Sequence, residues 1–499
     1  MSRQPNVEER PGGERAELEE AIHIERHNSI APVPEAYKDA TPLDQFWIWA
    51  GANIAPINWV LGALGIVLGL GFWDTVLVLA IGNTIGVLIF GAFVLMGQRT
   101  GVTQMVLTRS AFGRRGAYFP AFFQIVIATG WIAINTWIIL DLSVALLEKL
   151  GVPGTPATKV VVVLVLMAIQ VGLATLGFYA IRTFEKWTVP ITLVILVAMS
   201  AVAWTGGDVQ WGYAGEAEGA ARWTAMSQVM TAIGIGWGIT WLAYASDYSR
   251  FVPRTVPRSR LFWAGALGQF IPVLWLGVLG ASIATTGTGA DPAVIIVNTF
   301  GALAVPVLFL VLHGPIATNI LNVYSTSVSA LAVDINVRRH VLTIIVGVFA
   351  TAFTIYLVFA GSLAEQLDAW LATVVAWASP WAAIMLIHYY IIRRENIDVE
   401  ALYQSPGESR VGDVNWAAII SLLVGLVMTW LFLYGLVAPL QGPIARALNG
   451  LDLSWLAGML TAGLLYYGLH RLGGGTRRDA PRETAGEPAG APRRDLSGG

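Results

Sequence analysis

Long apolar segments, separated by short polar stretches, constrain this chain more than any other feature of its sequence. Each is close to the ~20 residues that an α-helix needs to cross a hydrocarbon core of ~30 Å. Only 12% of the residues are charged, against about 25% in soluble globular proteins, which excludes a single water-soluble core. The sequence therefore predicts an all-α integral membrane protein with twelve transmembrane helices, at residues 44–70, 73–97, 117–147, 157–180, 187–205, 223–246, 260–286, 302–332, 339–359, 365–392, 414–438 and 451–470.

The positions of the basic residues support this count. Lys and Arg concentrate in loops on the cytoplasmic side of a membrane. If both termini are cytoplasmic, every Lys and Arg falls on that side except Lys149, Lys159, Arg222 and Arg446. A miscounted span would disturb this alternation. Residues 1–42 lack the apolar segment of a signal peptide, so we expect a multi-pass protein of the plasma or inner cell membrane.

Two of the spans contain interruptions. Span one contains Gly51-Ala-Asn-Ile-Ala-Pro56, and span six contains Gly234-Ile-Gly-Trp-Gly238, about 180 residues further on. Proline breaks helices, and unwound backbone is stable within a membrane only where it lines a cavity. Corresponding breaks in spans one and six indicate a five-plus-five inverted repeat. Close packing of small residues is the alternative explanation of the glycines.

The same features divide the chain into parts. The C-terminal stretch is rich in Gly, Pro and Arg and cannot bury enough apolar surface to fold. The predicted parts are a cytoplasmic N-terminal segment at 1–42, a first repeat with spans one to five at 43–205, a second repeat with spans six to ten at 206–392, two appended spans at 393–472, and a disordered cytoplasmic tail at 473–499.

Aromatic and amide side chains mark the middle of several spans. Trp131 and Asn135 are four residues apart on span three and therefore share a helix face. An indole beside an amide can stack a flat heterocycle and hydrogen-bond its edge. Trp237 and Trp241, also four apart, lie at the glycine cluster of span six. Because the chain has 20 Trp, packing against neighbouring helices is the alternative for each of them.

Span eight adds two amides, Asn319 and Asn322, which share a face at a spacing of three residues. Polar groups at this depth usually face a bundle interior or an aqueous cavity, and contacts between helices are the alternative. No charged residue lies at the centre of spans one, three, six and eight. These spans therefore favour an uncharged, flat, polar substrate over an amino acid or a phosphate.

Titratable groups elsewhere have structural explanations as well as functional ones. The segment Asp247-Tyr-Ser-Arg250, at the cytoplasmic end of span six, is expected to tie that end to a neighbouring loop, with gating as the alternative. His313, Asp141 and the pair Glu365 and Asp368 are candidates for carrying a proton, and packing is the alternative for each.

Several classes of function are excluded. The chain has no Cys and its six His are scattered, so no thiolate metal site and no cofactor are expected. No basic stripe exists that could bind nucleic acid. A membrane enzyme would need converging acids or metal ligands, and a channel would show rings of like charge. Neither pattern occurs, so we expect a transporter; its oligomeric state stays open.

Six motifs make the chain similar to a known family. They are Phe46-Trp-Ile-Trp-Ala-Gly-Ala-Asn-Ile54, Ile81-Gly-Asn-Thr84, Ser110-Ala-Phe-Gly-Arg-Arg-Gly116, Gly130-Trp-Ile-Ala-Ile-Asn-Thr-Trp137, Tyr244-Ala-Ser-Asp-Tyr-Ser-Arg250 and Thr318-Asn-Ile-Leu-Asn-Val-Tyr-Ser325. In this order they resemble the nucleobase:cation symporter-1 family, specifically its purine–cytosine permease branch, across roughly residues 40–470. The resemblance implies a leucine-transporter-like inverted repeat in spans one to ten and alternating access around a site at the membrane midplane.

The resemblance also implies how a substrate binds. Members hold a planar base between tryptophans of spans three and six; Trp131 matches the first, and Asn135 matches an amide that hydrogen-bonds the base. For span six Trp241 is the preferred match and Trp237 the second, while the hydantoin and cytosine types place this residue at Gly238. Asn322 matches an amide of the purine-type carriers. The candidate substrate-binding residues are Asn53, Ala55, Trp131, Asn135, Trp237, Gly238, Trp241, Asn319 and Asn322.

The coupling ion stays open between sodium and a proton. In sodium-driven relatives a cation lies between carbonyls of span one and two adjacent hydroxyl side chains of span eight. The matching candidates here are Gly51, Ile54, Gly314, Ala317 and Thr318, and Ala317 lacks one of the hydroxyls. Losing an oxygen ligand weakens a site for a hard cation. The expected function is symport of a nucleobase with a cation, and allantoin, hydantoin or a thiamine-type vitamin is the alternative cargo.

Overall fold

The computed structural model describes residues 30–55, 57–206, 208–287, 307, 312–335, 337–360, 363–435 and 438–472. Most of the predicted N-terminal segment and the predicted tail lie outside these ranges. Within them the chain is helical apart from loops and one isolated bridge between Leu70 and Gly215. The helices are α1 (Pro42–Asn53), α2 (Ile57–Val67), α3 (Phe72–Thr100), α4 (Gln104–Phe112), α5 (Tyr118–Lys149), α6 (Pro156–Leu176), α7 (Phe178–Thr205), α8 (Gly219–Ser249), α9 (Arg258–Ala284), α10 (His313–Ala332), α11 (Arg339–Ala360), α12 (Leu363–Leu386), α13 (Trp416–Leu431), α14 (Pro443–Ala447) and α15 (Ser454–Leu472).

The lengths and compositions of these helices match a membrane protein. Among the described residues, eight helices are long and apolar enough to cross a membrane, or nine if α1 and α2 count as one bent span. α13 is a shorter apolar helix. Each of the predicted spans overlaps a described helix, although the first part of predicted span eight lies outside the described residues. The prediction of an all-α architecture rich in apolar helices is confirmed.

The predicted break in span one is present. Thr41 caps α1, since its hydroxyl accepts the Asp44 backbone N–H while the Asp44 carboxylate accepts the Thr41 backbone N–H. α1 ends at Asn53, and α2 starts at Ile57 with its axis turned by 56°. The sequence places Pro56 between them, and proline lacks the N–H that would continue the helix. The carbonyls at the end of α1 are consequently left without helical partners.

Span six differs from the prediction of an unwound segment. α8 stays helical from Gly219 to Ser249, with a π-helical segment at Met230–Ile235 and a 3₁₀ segment at Trp241–Tyr244. Gly238 faces α3, where a methyl group at this position would overlap the backbone of Gly86. Part of the glycine cluster therefore serves close helix packing. The spacing of the hydrogen bonds changes along α8, but the helix does not open.

Span five begins earlier than predicted. Gly177, with φ of 88°, separates α6 from α7, and α7 begins at Phe178 instead of near residue 187. Arg182 lies in the second turn of α7 and forms an ion pair with Asp39 at 2.9 Å. Lys186 is exposed. These two charges therefore lie within a helix whose end reaches the N-terminal segment, and Glu185 between them is fully buried.

The helices differ in how far they are enclosed. In the most apolar window of α5, 83% of the residues are buried, and in α8 81%, against 28% in α6. α5 packs along α10, while α9 packs against α1, α2 and α3. α13 packs on α15 at one side of the bundle. The enclosed helices α1, α5, α8 and α10 are thus the ones that can present polar groups to an interior site.

Paired charges hold the ends of α4, α5 and α10 together. Asp334, just after α10, accepts hydrogen bonds from Arg114 at 2.6 Å and Arg109 at 3.2 Å, and also from the Tyr118 hydroxyl. Burial alone would raise the pKa of Asp334, but these hydrogen bonds and the two guanidinium charges outweigh it and hold the pKa below its usual value. Arg109 also donates to the Ala332 carbonyl at 2.7 Å. This group, Arg109, Arg114, Tyr118 and Asp334, is called the Asp334 cluster below.

Candidate substrate and cation site

The end of α1 contacts the middle of α8 through Asn53. The Asn53 Oδ1 accepts a hydrogen bond from Trp237 Nε1 at 2.6 Å, and its Nδ2 donates to the Trp49 carbonyl at 2.7 Å. The Asn53 carbonyl accepts from Asn58 Nδ2 at 2.7 Å. Both ends of the Asn53 amide are therefore engaged within the protein, and its Oδ1 joins α1 to α8.

Trp131 lies against Trp237. The ring centroids are 5.6 Å apart and the planes are 79° apart, an edge-to-face contact. Trp241, the preferred candidate, instead contacts Trp49 at 5.7 Å and Tyr244 at 5.3 Å. The placement of the rings thus favours Trp237 as the neighbour of Trp131. A flat ligand stacks between parallel rings, so one of these indoles must turn before a base can lie between them.

Asn135 lies one helical turn beyond Trp131 and carries an amide without partners. It is 1% exposed, and neither its Oδ1 nor its Nδ2 has a hydrogen-bond partner in the part of the chain that the structure describes. Within the same part, the Nε1 of Trp131 also lacks a partner. Buried polar groups are nearly always hydrogen-bonded, and leaving one unpaired costs about 1–3 kcal/mol. An amide presents an acceptor beside a donor, which matches a ligand edge with a donor beside an acceptor.

Asn319 of α10 contrasts with Asn135. Its Nδ2 lies 3.0 Å from the Ile132 carbonyl, 2.9 Å from Thr136 Oγ1 and 2.9 Å from Gln170 Oε1. These contacts join α10 to α5 and α6. Asn322 Nδ2 donates to Asn319 Oδ1 at 3.3 Å, so Asn322 lies directly beside this network.

Two further candidates lie at the edges of this region. Ala55 is buried at the break between α1 and α2, and Gly314 of α10 approaches it closely. Gly238 faces Gly86 of α3 and lacks the side chain that a stacking residue needs. Of the two, Ala55 lies next to the cation candidates, while Gly238 lies on the packing face of α8.

The cation candidates lie where α10 crosses the break. Thr318 Oγ1 lies 2.7 Å from the Ala52 carbonyl and 3.0 Å from the Gly314 carbonyl. A methyl group on Gly314 would overlap the Ile54 carbonyl, so only glycine permits this approach. Ala317 is buried and contributes no side-chain oxygen. The carbonyls at the end of α1 and the Thr318 hydroxyl supply oxygen ligands of the type that a hard monovalent cation takes, which is compatible with a cation at this position.

Three of the other predicted titratable residues, Asp247, His313 and Asp141, have described side chains. Asp247 Oδ1 accepts from the Gln104 backbone N–H at 2.9 Å, so it ties the end of α8 to the first residue of α4, where a loop was predicted. The His313 ring nitrogens lie 2.6 Å from Thr188 Oγ1 and 3.2 Å from Thr192 Oγ1 of α7. Asp141 lies half-buried in α5. The side chains of Glu365 and Asp368 lie outside the described part of the structure.

Four buried polar residues were missed by the sequence reasoning. Gln269 Nε2 donates to the Trp237 carbonyl at 3.3 Å, and Gln170 Oε1 accepts a hydrogen bond from Asn319 Nδ2. Gln124 and Glu185 are buried, and among the described residues Gln124 Nε2 and both Glu185 oxygens lack partners. The signal that could have identified the three glutamines is a Gln within an otherwise apolar run.

These elements define a class of protein. Apolar helices surround buried aromatic and amide groups, part of which lack partners, and one helix breaks beside them. Such a broken helix beside a midplane site is the arrangement of secondary transporters. The fold and the site are those of a multi-pass membrane transporter.

The chain belongs to the family described as permeases for cytosine/purines, uracil, thiamine and allantoin, whose profile matches residues 32–458. A putative purine–cytosine permease of Bacillus subtilis (strain 168) is 26% identical over 464 residues, which cover 89% of this chain and 96% of that protein. A hydantoin permease of Microbacterium maritypicum is 25% identical over 433 residues, covering 83% of this chain and 86% of the relative. The predicted resemblance to the purine–cytosine permeases is confirmed.

The fold has a solved counterpart. Mhp1, a nucleobase-cation-symport-1 family transporter in a closed conformation with bromovinylhydantoin bound, superposes with a TM-score of 0.74 at 22% identity. The match covers 91% of this chain and 98% of Mhp1. At this identity the likeness establishes the shared fold.

Proposed function

We propose that this protein is a secondary active symporter that imports a nucleobase, of the purine or cytosine type, together with a cation by alternating access. The observation that carries the proposal is the Asn135 amide, buried and without a partner one turn from Trp131. A base stacked on Trp131 would present its edge to Asn135. The names of the relatives, which are purine–cytosine, hydantoin and allantoin permeases, support a planar heterocycle as cargo.

The proposed binding sequence starts from the contacts between α1, α5 and α8. Turning the Trp237 indole away from Trp131 would break its bond to Asn53 and open a slot for the base. The freed Asn53 Oδ1 and the Trp237 Nε1 would then be available to the base edge, together with Asn135. Binding would thereby alter the contact between α1 and α8, and a change at this contact is what alternating access requires.

The proposal extends to the architecture. We infer twelve membrane crossings, with spans one to five and six to ten related as inverted repeats and both termini on the cytoplasmic side of the cell membrane. The bend between α1 and α2 and the π and 3₁₀ segments of α8, at corresponding positions of the two halves, support the repeat. The oxygen groups around Thr318 support a coupling cation at the first of these positions.

Uptake of radiolabelled bases tests the function. Cells or proteoliposomes with the wild type should take up adenine, hypoxanthine or cytosine, and uptake should respond to sodium against choline or to the pH gradient. Uptake of allantoin, hydantoin or thiamine alone would assign the alternative cargo. Failure to transport any member of the panel with correctly inserted protein would contradict the proposal.

Trp131→Ala should abolish uptake at low substrate concentration while leaving expression and insertion intact. Loss of base stacking costs about 1–3 kcal/mol per base, which is roughly 5- to 150-fold in affinity. Trp204→Phe is the matched control, because Trp204 is a tryptophan of α7 whose Nε1 bonds Ser282 at 2.9 Å, away from the candidate site. Wild-type affinity in Trp131→Ala would remove Trp131 from the site.

A further inference from the structure

Glu185 is a buried carboxylate to which none of the predicted functions refers. It lies about two turns inside α7 and is 0% exposed. Neither carboxylate oxygen has a hydrogen-bond partner, and no ion pair of Glu185 occurs among the described residues. A charged carboxylate in such a place is strongly destabilising unless a cation accompanies it. The structure therefore requires a cation, which for a carboxylate can be a metal ion or a proton.

The carboxylate faces the break in span one. A methyl group on Gly51 would overlap Glu185 Oε2 and Cδ, so the carboxylate lies directly on the bare α-carbon of this glycine. Val189, one turn further along α7, lies against the same glycine. The choice of glycine at position 51 thus makes room for the Glu185 side chain, in addition to any effect on the helix.

The same break carries the other oxygen groups of the candidate cation site. Gly51 is followed by Ala52, whose carbonyl contacts Thr318 at 2.7 Å, and by Ile54, whose carbonyl lies against Gly314. α7 therefore reaches this region from one side and α10 from the other. Ala317 lacks the hydroxyl expected there from the resemblance, and Glu185 brings two oxygens and a negative charge to the same break.

Among the described residues, no protein cation neutralises Glu185. Arg182 is engaged with Asp39, and Lys186 is exposed on the outside of α7. The titratable group that faces this side of α7 from α10 is His313, and its ring nitrogens are directed at the Thr188 and Thr192 hydroxyls. In the described part of the chain, the Glu185 carboxylate is therefore left against the α1 backbone at Gly51.

We propose that the Glu185 carboxylate binds the coupling cation at the break of span one. This inference deepens the proposed symport and rests on it. A small monovalent cation satisfies the observations, either sodium, held by the carboxylate with the α1 carbonyls and Thr318, or a proton, held on the carboxylate itself. Cation binding would join Glu185 of α7 to the end of α1. The charge of Glu185 would then be neutralised only while α7 and the end of α1 are in contact.

The test measures ion binding without substrate. Purified protein is melted with increasing sodium against choline at constant ionic strength, at one pH below and one above neutrality. The variants are Glu185→Gln, Gly51→Ala and, as the matched control, Lys186→Gln, which changes a charge on the next residue at the exposed face. Gly51→Ala displaces the carboxylate sterically and gives a second route if Glu185→Gln folds poorly.

Two results support the proposal and distinguish the ions. If sodium is the cation, the wild type and Lys186→Gln show a saturable rise in melting temperature, and Glu185→Gln and Gly51→Ala weaken the apparent sodium affinity by about tenfold or more. If the proton is the cation, sodium has no effect on the melting temperature of the wild type. The melting temperature of the wild type and of Lys186→Gln then changes between the two pH values, and this change is smaller in Glu185→Gln and Gly51→Ala.

One result overturns the proposal: the ion response of the wild type, to sodium or to pH, persists unchanged in both Glu185→Gln and Gly51→Ala. A wild type that binds and transports bases with neither response overturns it as well. Failure of the proposed function is separate, because it appears as a wild type that transports none of the bases, whatever the melting curves show.

Discussion

Asn135 and Asn319 are both buried asparagines in the enclosed part of the bundle, on helices that pack against each other. The amide of Asn319 has three polar neighbours on α5 and α6, whereas the amide of Asn135 has no hydrogen-bond partner among the described residues. In a membrane interior a paired amide contributes to the association of helices, and an unpaired one destabilises the protein until something pairs with it. The difference in pairing, and not the residue type or the depth, separates a structural amide from a candidate binding amide.

The largest expected effect is at the unpaired amide. Asn135→Ala should weaken base binding by about 1–3 kcal/mol, or roughly 5- to 150-fold, because an edge group of the base is left buried and unpaired. The melting temperature should not fall, since no protein bond is lost. Competition assays with adenine, hypoxanthine and cytosine measure the loss. Asn322→Ala should give a different order of the bases, and an equal loss for all bases in both variants would contradict edge recognition.

Asn319→Ala should give the opposite pattern. It removes the contacts among α5, α6 and α10, and interhelical hydrogen bonds in membranes contribute roughly 0.6–1.7 kcal/mol. We expect a lower melting temperature with the preference among bases retained. The matched comparison is Asn83→Ala in α3. The buried Asn83 Nδ2 donates to the Leu79 carbonyl of its own helix at 2.9 Å, and its Oδ1 has no partner among the described residues, so no contact between helices is lost. Equal melting temperatures for Asn319→Ala and Asn135→Ala would show that the hydrogen bonds of Asn319 do not stabilise the protein.

The Asp334 cluster is the charged counterpart of the paired Asn319 amide, because its charges are neutralised within the protein. Asp334→Asn should lower the melting temperature near neutral pH, because Arg109 and Arg114 lose a charged partner. The folded pKa of Asp334 is below its ordinary value, so its stabilising contribution is present above that ordinary pKa and is lost as the pH falls through the lower folded pKa. The melting curves of wild type and variant should therefore converge in acid. A difference that is constant with pH would assign the effect to packing.

The smallest expected effect is at Ala317, where a substitution by serine adds a hydroxyl to the candidate cation site. Ala317→Ser should increase the sodium stimulation of uptake modestly if sodium is the coupling ion, because an oxygen ligand is added next to Thr318. Thr318→Ala is the reciprocal variant and should weaken the stimulation. Strong sodium dependence that Thr318→Ala leaves unchanged would remove the Thr318 hydroxyl from the cation site.

The sequence predicted the helices and the break in span one well, because both depend on local chemistry. Apolar length alone identifies helices that fit a membrane, and Pro56 ends α1 whatever its surroundings. The glycines of span six were ambiguous, since glycine permits both an unwound backbone and close packing. Gly238 is used for packing against Gly86, and this could not be known without the position of α3.

Pairing is the property that the sequence could not supply. Asn53, Asn135 and Asn319 look equivalent as buried asparagines, and only the positions of Trp237, Thr136 and Gln170 separate them. Glu185 was hidden for another reason. Its neighbours Arg182 and Lys186 make the segment resemble a polar loop. In the structure Arg182 forms an ion pair with Asp39, Lys186 is exposed, and Glu185 lies against Gly51, so the three charged side chains have three different environments.

The hydrogen bond between Trp237 and Asn53 would compete with binding of the proposed substrate. Any base that takes either group as partner must first replace a 2.6 Å hydrogen bond that already exists. The measured affinity is then the difference between two sets of bonds, and a tight substrate need not make more contacts than a weak one. In the proposed transport cycle, departure of the base would restore the hydrogen bond between Trp237 and Asn53. The empty carrier would then return to a defined contact between α1 and α8.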